Sequence, residues 1–385
     1  MDQIIYLDNA ASSWPKPPQV AKEVYNAIEK YAANPGRGAH RLALEAGRIV
    51  YGCRAALAEL FHISNPSDIV FTKNATEALN LPLLCYLSEG DHVITSSVEH
   101  NSVIRPLEYM QAKGITYSTI NADAAGKTDV DEIEKEIIKH PNTKLLVVSH
   151  ASNVIGTILP LENACKLAKK YNIKIMVDAA QTAGIIDIPV EPWGIDFLAF
   201  PGHKSLMGPQ GTGGLYISPE INLPPLFHGG TGGDSESKVM PNIRPDRYEA
   251  GTLNTPGLAG LHAGIKFILD TGMSSIREHE AGLTRMIMER LQNINKVHIY
   301  GPPINEQRAA VVAFNIQGIE SNEVAYMLDK VYNVAVRAGM HCSPIGHRTI
   351  GTLEQGVVRV SPGYFNTKEE IDIFVDAVND IVEEL

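Results

Sequence analysis

Cysteine is scarce in this chain: Cys53, Cys85, Cys165 and Cys342 are scattered through 385 residues and form no CxxC pair. That spacing argues against a disulfide framework or a zinc cage and fits thiols kept reduced in a cytosol. Basic residues are also in short supply, with 33 Lys and Arg against 44 Asp and Glu, for a formal charge of −11. An acidic surface disfavours nucleic acid or anionic membrane as the main partner. No apolar run reaches the roughly 18–20 residues that a bilayer span needs. The opening MDQIIYLDNAASSWPKP lacks the basic and apolar regions of a secretory signal. The expectation is a cytoplasmic enzyme or binding protein without a metal.

What is present is an ordinary globular composition, 44% apolar and 20% charged, long enough for two domains. There is no internal repeat. Helices are expected at about 17–31 and 42–61, on either side of the glycine-bearing turn NPGRGAH. Short apolar runs at 68–71, 92–96, 115–120, 144–149, 173–177 and 197–200 then alternate with helix-period segments such as 101–112, 130–139 and 161–171. Such alternation predicts an α/β domain with a mostly parallel sheet. Near residue 230 the texture changes: GGTGGDSESKVMPNIRPDRYEAGT reads as a long functional or ordered loop. Helices at 256–269 and 274–291, strands at 310–316, 335–337 and 357–361, and a last helix at 368–384 make a smaller α+β unit. The boundary is placed near Thr255, giving a large domain of 16–255 and a small one of 1–15 with 256–385.

Several residues at the expected strand ends carry chemistry. DFLAFPGHKSLMGPQGTGG sets His203 and Lys204 just after an apolar strand, where apolar packing can make a lysine a usable amine. Taken alone, Lys204 reads more readily as a solvated surface lysine. GPQGTGG precedes a strand instead of opening a helix after one, so a dinucleotide loop fails its own context. KIMVD ends a strand on Asp178, with Gln181 three residues on, at the edge where α/β sheets hold ligands. A pyridine nitrogen needs such a carboxylate to stay protonated, although a strand-end Asp also caps helices. The turn through Thr72, Ala75 and Thr76 leads from a strand to a helix start, which suits a phosphate or is a plain cap. His100 and Asn153 stand at two more strand ends, and either is as easily structural.

The succession of these elements resembles the cysteine desulfurases and selenocysteine lyases, within the class V aminotransferase-like, fold-type I pyridoxal-phosphate enzymes. The likeness runs nearly end to end, through Tyr6-Leu-Asp-Asn-Ala-Ala, Asn153-Val-Ile-Gly-Thr, Val177-Asp-Ala-Ala-Gln, Gly202-His-Lys204, Tyr248-Glu-Ala-Gly-Thr252, Arg337-Ala-Gly-Met-His-Cys342 and Arg359. It implies a large α/β domain on a mostly parallel seven-stranded sheet with a smaller α+β domain, working as a homodimer. It also implies that Lys204 holds pyridoxal 5'-phosphate as a Schiff base and that Asp178 pairs with the ring nitrogen. Gln181 would reach the phenolic oxygen, and the His100 ring would stack on the cofactor. Ala75, Thr76 and His203 would line the phosphate, joined by Gly251 and Thr252 from a second subunit. Asn153, Arg359 and His40 would hold the substrate, and a planar guanidinium suits a carboxylate.

Cys342 decides the reaction. It sits in the Gly-, Ser- and Pro-bearing loop RAGMHCSPIGHRTIGT, whereas Cys53, Cys85 and Cys165 read as core filler. A working thiol nucleophile needs cationic neighbours, and Arg337 and His341 are close in sequence. The resemblance makes Cys342 the residue that takes sulfur from L-cysteine as a persulfide, with Lys204 removing the Cα proton and His100 managing protons on the sulfur side. RxGxHC is similar to the second desulfurase group, some of whose members depend on a sulfur-accepting protein. Pro201 and Ala75 depart from relatives that carry hydroxyls there, and the 229–247 loop is short, which leaves substrate and acceptor open. A class V aminotransferase or lyase for another amino acid is the rival enzyme, and a cofactor-binding scaffold is the non-enzymatic alternative.

Overall fold

The computed structural model describes all residues except 1–3, 32, 37, 39, 234 and 235. In chain order β1 (Ile5–Tyr6) comes first, and the first unit then contains α1 (Pro18–Lys30), α2 (Arg41–Leu60), β2 (Ile69–Thr72), α3 (Ala75–Cys85), β3 (His92–Ser96), α4 (Asn101–Gln111), β4 (Thr116–Ile120) and α5 (Val130–Lys139). It continues through β5 (Thr143–Ser149), α6 (Leu161–Lys170), β6 (Lys174–Asp178), the single turn α7 (Val190–Trp193), β7 (Phe197–Pro201), β8 (Gly213–Ile217) and α8 (Thr255–Thr271). Then come α9 (Met273–Leu291), β9 (Val297–Tyr300), β10 (Val312–Ile316), α10 (Ser321–Tyr332), β11 (Val334–Ala335), β12 (Arg337–Gly339), α11 (Pro344–Thr349), β13 (Val357–Val360) and α12 (Lys368–Glu383).

The large sheet has seven strands in the order β2-β8-β7-β6-β5-β3-β4. Only β8 runs against its neighbours, so β2, β3, β5, β6 and β7 all deliver their carboxyl ends to one edge. Strand side chains alternate between faces. Leu146 and Val148 of β5 accordingly join a core with α2, α5, α6 and α8, while Leu145 and Val147 join one with α3 and α4. With both faces covered, these strands read in sequence as continuous apolar runs. The chain leaves β3 for β4 on one side and returns to β5 on the other, so the strand order reverses there. Outside the strand ends at such a reversal, a crevice is the geometric consequence.

The second unit is an antiparallel sheet, β12-β13-β10-β9, packed on α9, α10 and α12 through Ile287, Leu328, Phe314, Val360 and Phe374. Ile5 and Leu7 belong to this core, and β1 pairs with β11. Helix α8 starts at Thr255, yet its Leu258, Leu261, Ile265 and Ile268 pack in the first core. Ile276 of α9 follows them, and Leu283, Ile287 and Leu291 then enter the second core, so α9 passes from one core to the other. The single strand expected at 335–337 is two, because β11 pairs with β1 and β12 with β13. Helix α10 and strand β9 were not expected from the pattern.

Candidate active site

At the carboxyl edge of the large sheet lies a cavity of about 170 Å³ whose lining includes Thr76, His100, Asn153, Asp178, Gln181 and Lys204, together with Ala75, Pro201 and His203. Lys204 follows β7 on a turn that depends on Gly202, where a Cβ would collide with the Thr212 hydroxyl. The N-terminal segment clamps this turn. Ser13 donates its N–H to the His203 carbonyl at 3.0 Å and its hydroxyl to the Lys204 carbonyl at 2.8 Å, and Lys16 Nζ reaches the His203 carbonyl at 3.2 Å. Burial draws the Lys204 amine down to about 8, with Arg359 adding repulsion and Asp178 opposing it. Burial likewise lowers Lys16 to about 8.

Asp178 closes β6 and is buried. Burial raises its hold on a proton, against the Ala180 N–H donated to Oδ1 at 2.9 Å and the Lys204 charge. A positive group arriving beside it would restore the ionised form. Gln181 donates to the Ala10 carbonyl at 3.2 Å. His100 caps α4, its Nδ1 accepting the Ser102 N–H at 3.0 Å. Burial, then the Lys204 and arginine charges, depress this imidazole to about 4, so at neutral pH the ring carries its single proton on Nε2.

The other end of the cavity suits an anion. Ala75 and Thr76 open α3, where N–H groups point out of the helix. The Thr76 hydroxyl lies 2.8 Å from Ser102 Oγ, which also contacts His100 Nδ1 at 2.9 Å. His203 Nδ1 is buried with no partner among the described residues. A buried imidazole nitrogen left without a partner costs free energy unless a ligand meets it, and an anionic oxygen there would do so. These donors, the buried carboxyl and the amine of lowered proton affinity fit a phosphorylated pyridine aldehyde. Pro201 contributes no N–H to that set.

Cys342 is exposed, and His341 and Cys342 both sit in the left-handed region at φ 46° and 57°. Non-glycine residues hold that conformation only when their surroundings fix it. Here Asn153 Nδ2 donates to the His341 carbonyl at 2.7 Å, Asn101 N–H to the Cys342 carbonyl at 2.8 Å, and Ser343 Oγ to the Glu99 carbonyl at 2.8 Å. Arg337 Nη2 stands 3.9 Å from Cys342 Sγ. The expectation for His341 is corrected: its ring is buried, with Nε2 on the Val357 carbonyl at 3.1 Å, and burial pushes it far below the usual imidazole range. It is no cationic neighbour of the thiol. Cys53 and Cys165 are buried as expected, and Cys85 is half-buried.

Arg359 on β13 is fully buried, donating Nη1 to the Asn153 carbonyl at 2.9 Å and Nη2 to Asp8 Oδ1 at 2.7 Å. Neither Arg359 nor Cys342 lines the cavity itself, and three more expected residues stand away from it. His40 is exposed and caps α2 through Nδ1, while Gly251 and Thr252 stand on an exposed turn where Asn34 contacts Thr252 Oγ1 at 3.3 Å. Sequence reasoning missed Asp8, Lys16, Glu99 and Ser102 as part of the site. Only Ser102 carried a local signal, as a hydroxyl in the first turn after a capping His100.

Residues 5–374 match the family model Aminotransferase class-V. A probable cysteine desulfurase of Methanothermobacter thermautotrophicus is 35% identical over 98% of this chain and 94% of its own length. Another of Pyrococcus abyssi is 36% identical over 100% of this chain and 95% of its own. The solved apo structure of a cysteine desulfurase from Thermococcus onnurineus superposes with a TM-score of 0.92 at 36% identity, covering 99% of this chain and 95% of that one.

Proposed function

The chain belongs to the class V aminotransferase family, and on that premise we propose that it is a pyridoxal-phosphate-dependent cysteine desulfurase, converting L-cysteine to L-alanine and keeping the sulfur as a persulfide on Cys342. One observation carries this reading. The cleft that holds a softened amine beside a buried carboxyl is tied by hydrogen bonds to the loop of an exposed cysteine.

Pyridoxal phosphate, when bound, supplies an aldehyde that captures amines and a pyridinium ring that draws electrons from the carbon beside the captured nitrogen. Lys204 would hold it covalently, Asp178 would keep the ring nitrogen protonated, and Gln181 would donate to the phenolic oxygen. The neutral His100 would cover one ring face. Ala75, Thr76 and His203 would take the phosphate, completed by Gly251 and Thr252 of a second copy in a homodimer. The exposed His40 would likewise serve substrate only from a second copy.

Asn153 and Arg359 would hold the substrate carboxylate. An amine drawn down to about 8 has an appreciable neutral fraction at physiological pH, so Lys204 can accept the Cα proton. Cys342 Sγ then bonds the substrate sulfur as the Cβ–S bond breaks. The electron pair of that bond stays with carbon, which is protonated to the alanine methyl group. His100, with its proton on Nε2, would manage protons on the sulfur side. Exposure of Cys342 leaves its persulfide open to a sulfur-accepting partner.

The test is to incubate purified holoenzyme with L-cysteine, L-selenocysteine and other amino acids. Alanine formed in step with sulfide or persulfide is expected, and keto acid from an amino donor without sulfur release rejects the assignment. Cys342→Ala is expected to abolish turnover of cysteine while the cofactor's visible band persists. Full activity of that variant, with a reductant present, would remove Cys342 from the mechanism.

A further inference from the structure

The Tyr6-Leu-Asp-Asn-Ala-Ala motif has no part in the chemistry so far, although it lies against it. Asp8 follows β1 and forms a parallel bridge with Ser361 at the end of β13, secured by Ser361 N–H to the Leu7 carbonyl at 2.7 Å and Asn9 N–H to the Ser361 carbonyl at 3.2 Å. That register brings the Asp8 carboxylate to Arg359 at 2.7 Å, with side-chain exposures of 19% and 1%. The two residues are 351 positions apart.

Arg359 needs such a partner. In the β12–β13 pair it lies directly opposite Arg337, and like charges facing each other across a ladder destabilise it. Arg337 turns towards the Cys342 sulfur. Arg359 is buried, and a buried guanidinium without a counter-charge is costly. Lys204 adds a further positive charge to the same neighbourhood, since Arg359 is the main charge lowering its proton affinity. Of its five N–H donors, Arg359 spends one on the Asn153 carbonyl and one on Asp8, and Nε has no partner among the described residues. The plane of the fork is thus set before any ligand arrives, and donors remain free for a second carboxylate.

We infer that Asp8 is a positioning residue for substrate: it fixes the Arg359 fork from the N-terminal strand, so that the free donors meet the carboxylate of an α-amino acid. This rests on the reading of Arg359 as the carboxylate clamp. Asp8 touches neither substrate nor reacting atoms, and its effect falls on binding instead of on the bond-breaking step.

Holoenzyme variants test it by KM and kcat for L-cysteine, by the dissociation constant of L-alanine from the shift of the cofactor's visible band, and by thermal melting. Asp8→Ala is expected to raise KM and the L-alanine constant by about tenfold or more, with kcat within about threefold. Asp8→Asn keeps an oxygen for Nη2 and is expected to restore both constants to within about threefold of the parent. A merely structural role would lower the melting temperature and the active fraction without moving the L-alanine constant. Unchanged constants in Asp8→Ala, or a loss confined to kcat, overturn the inference. Should Asp8→Ala not fold, Asp8→Ser supplies the same comparison. Arg359→Lys separates the two layers. If it leaves both constants unchanged, the clamp itself fails; if it raises them while the Asp8 variants do not, the clamp stands and the role of Asp8 alone is rejected.

Discussion

The cleft around Lys204 and the loop around Cys342 are built in opposite ways. Lys204, Asp178 and His100 stand at the ends of β7, β6 and β3, strands paired on both sides within the large sheet. Cys342 stands on an exposed loop with two successive left-handed residues, and the bonds holding it come from the β3–α4 segment and Asn153. Groups that must keep a fixed geometry are best carried on rigid elements. A sulfur carrier has to meet both a buried substrate and an external acceptor, and a loop with one anchored side satisfies both demands.

Removing Lys204 breaks the rigid half of that comparison and has the largest expected effect. Lys204→Ala should cost turnover on the order of 10³-fold or more, since it removes the covalent attachment and the proton acceptor together. Borohydride treatment followed by peptide mapping should then find no modified lysine, while the parent is modified at Lys204. Cys342→Ala, by contrast, loses turnover with that label intact. If another lysine carries the label in the parent, the cleft described here is not the cofactor site.

A smaller effect is expected at the contact joining the loop to the small sheet. A guanidinium 3.9 Å from Cys342 Sγ stabilises negative charge on sulfur, but Cys342 is exposed and solvent screens the pair. Arg337→Gln should therefore slow iodoacetamide labelling of Cys342, and persulfide formation with it, by about three- to tenfold. Equal rates in variant and parent would mean that the loop backbone alone governs the thiol.

The rigid half was also the legible half. Apolar runs ending in Asp178 and just before His203-Lys204 announce strands and their functional ends, because pairing on both sides forces continuous apolar sequence. The long-range half was not legible. Asp8 meets Arg359 only through a parallel bridge between the two ends of the chain, and no local periodicity encodes such a pairing. The direction of His341 was open in the sequence, because proximity to Cys342 says nothing of it; the imidazole turns inward to Val357 on a left-handed backbone at 341 and 342. Helix α8 packs in the first core, and an apolar helix face does not name the core that receives it.

Glu99 joins the two regions, and its expected effect falls on stability instead of on turnover. Its carboxylate accepts from Ser96 Oγ at 2.6 Å, Ser149 N–H at 2.9 Å and Ser149 Oγ at 2.6 Å, while its own carbonyl receives Ser343 from the cysteine loop. Burial raises the group to about 7 despite those bonds, and the Asp178 charge adds to the rise. A carboxyl raised in the folded state gives stability that is whole below its unfolded value near 4.5 and is lost as pH climbs through 7. Glu99→Gln cannot titrate and keeps the shape. Between pH 5 and pH 8, urea melts should therefore shift in favour of the variant over the parent by up to about 3 kcal/mol. A difference that stays flat with pH would mean that the three hydrogen bonds hold Glu99 ionised throughout, making the joint between cleft and loop a fixed strut instead of a titrating one.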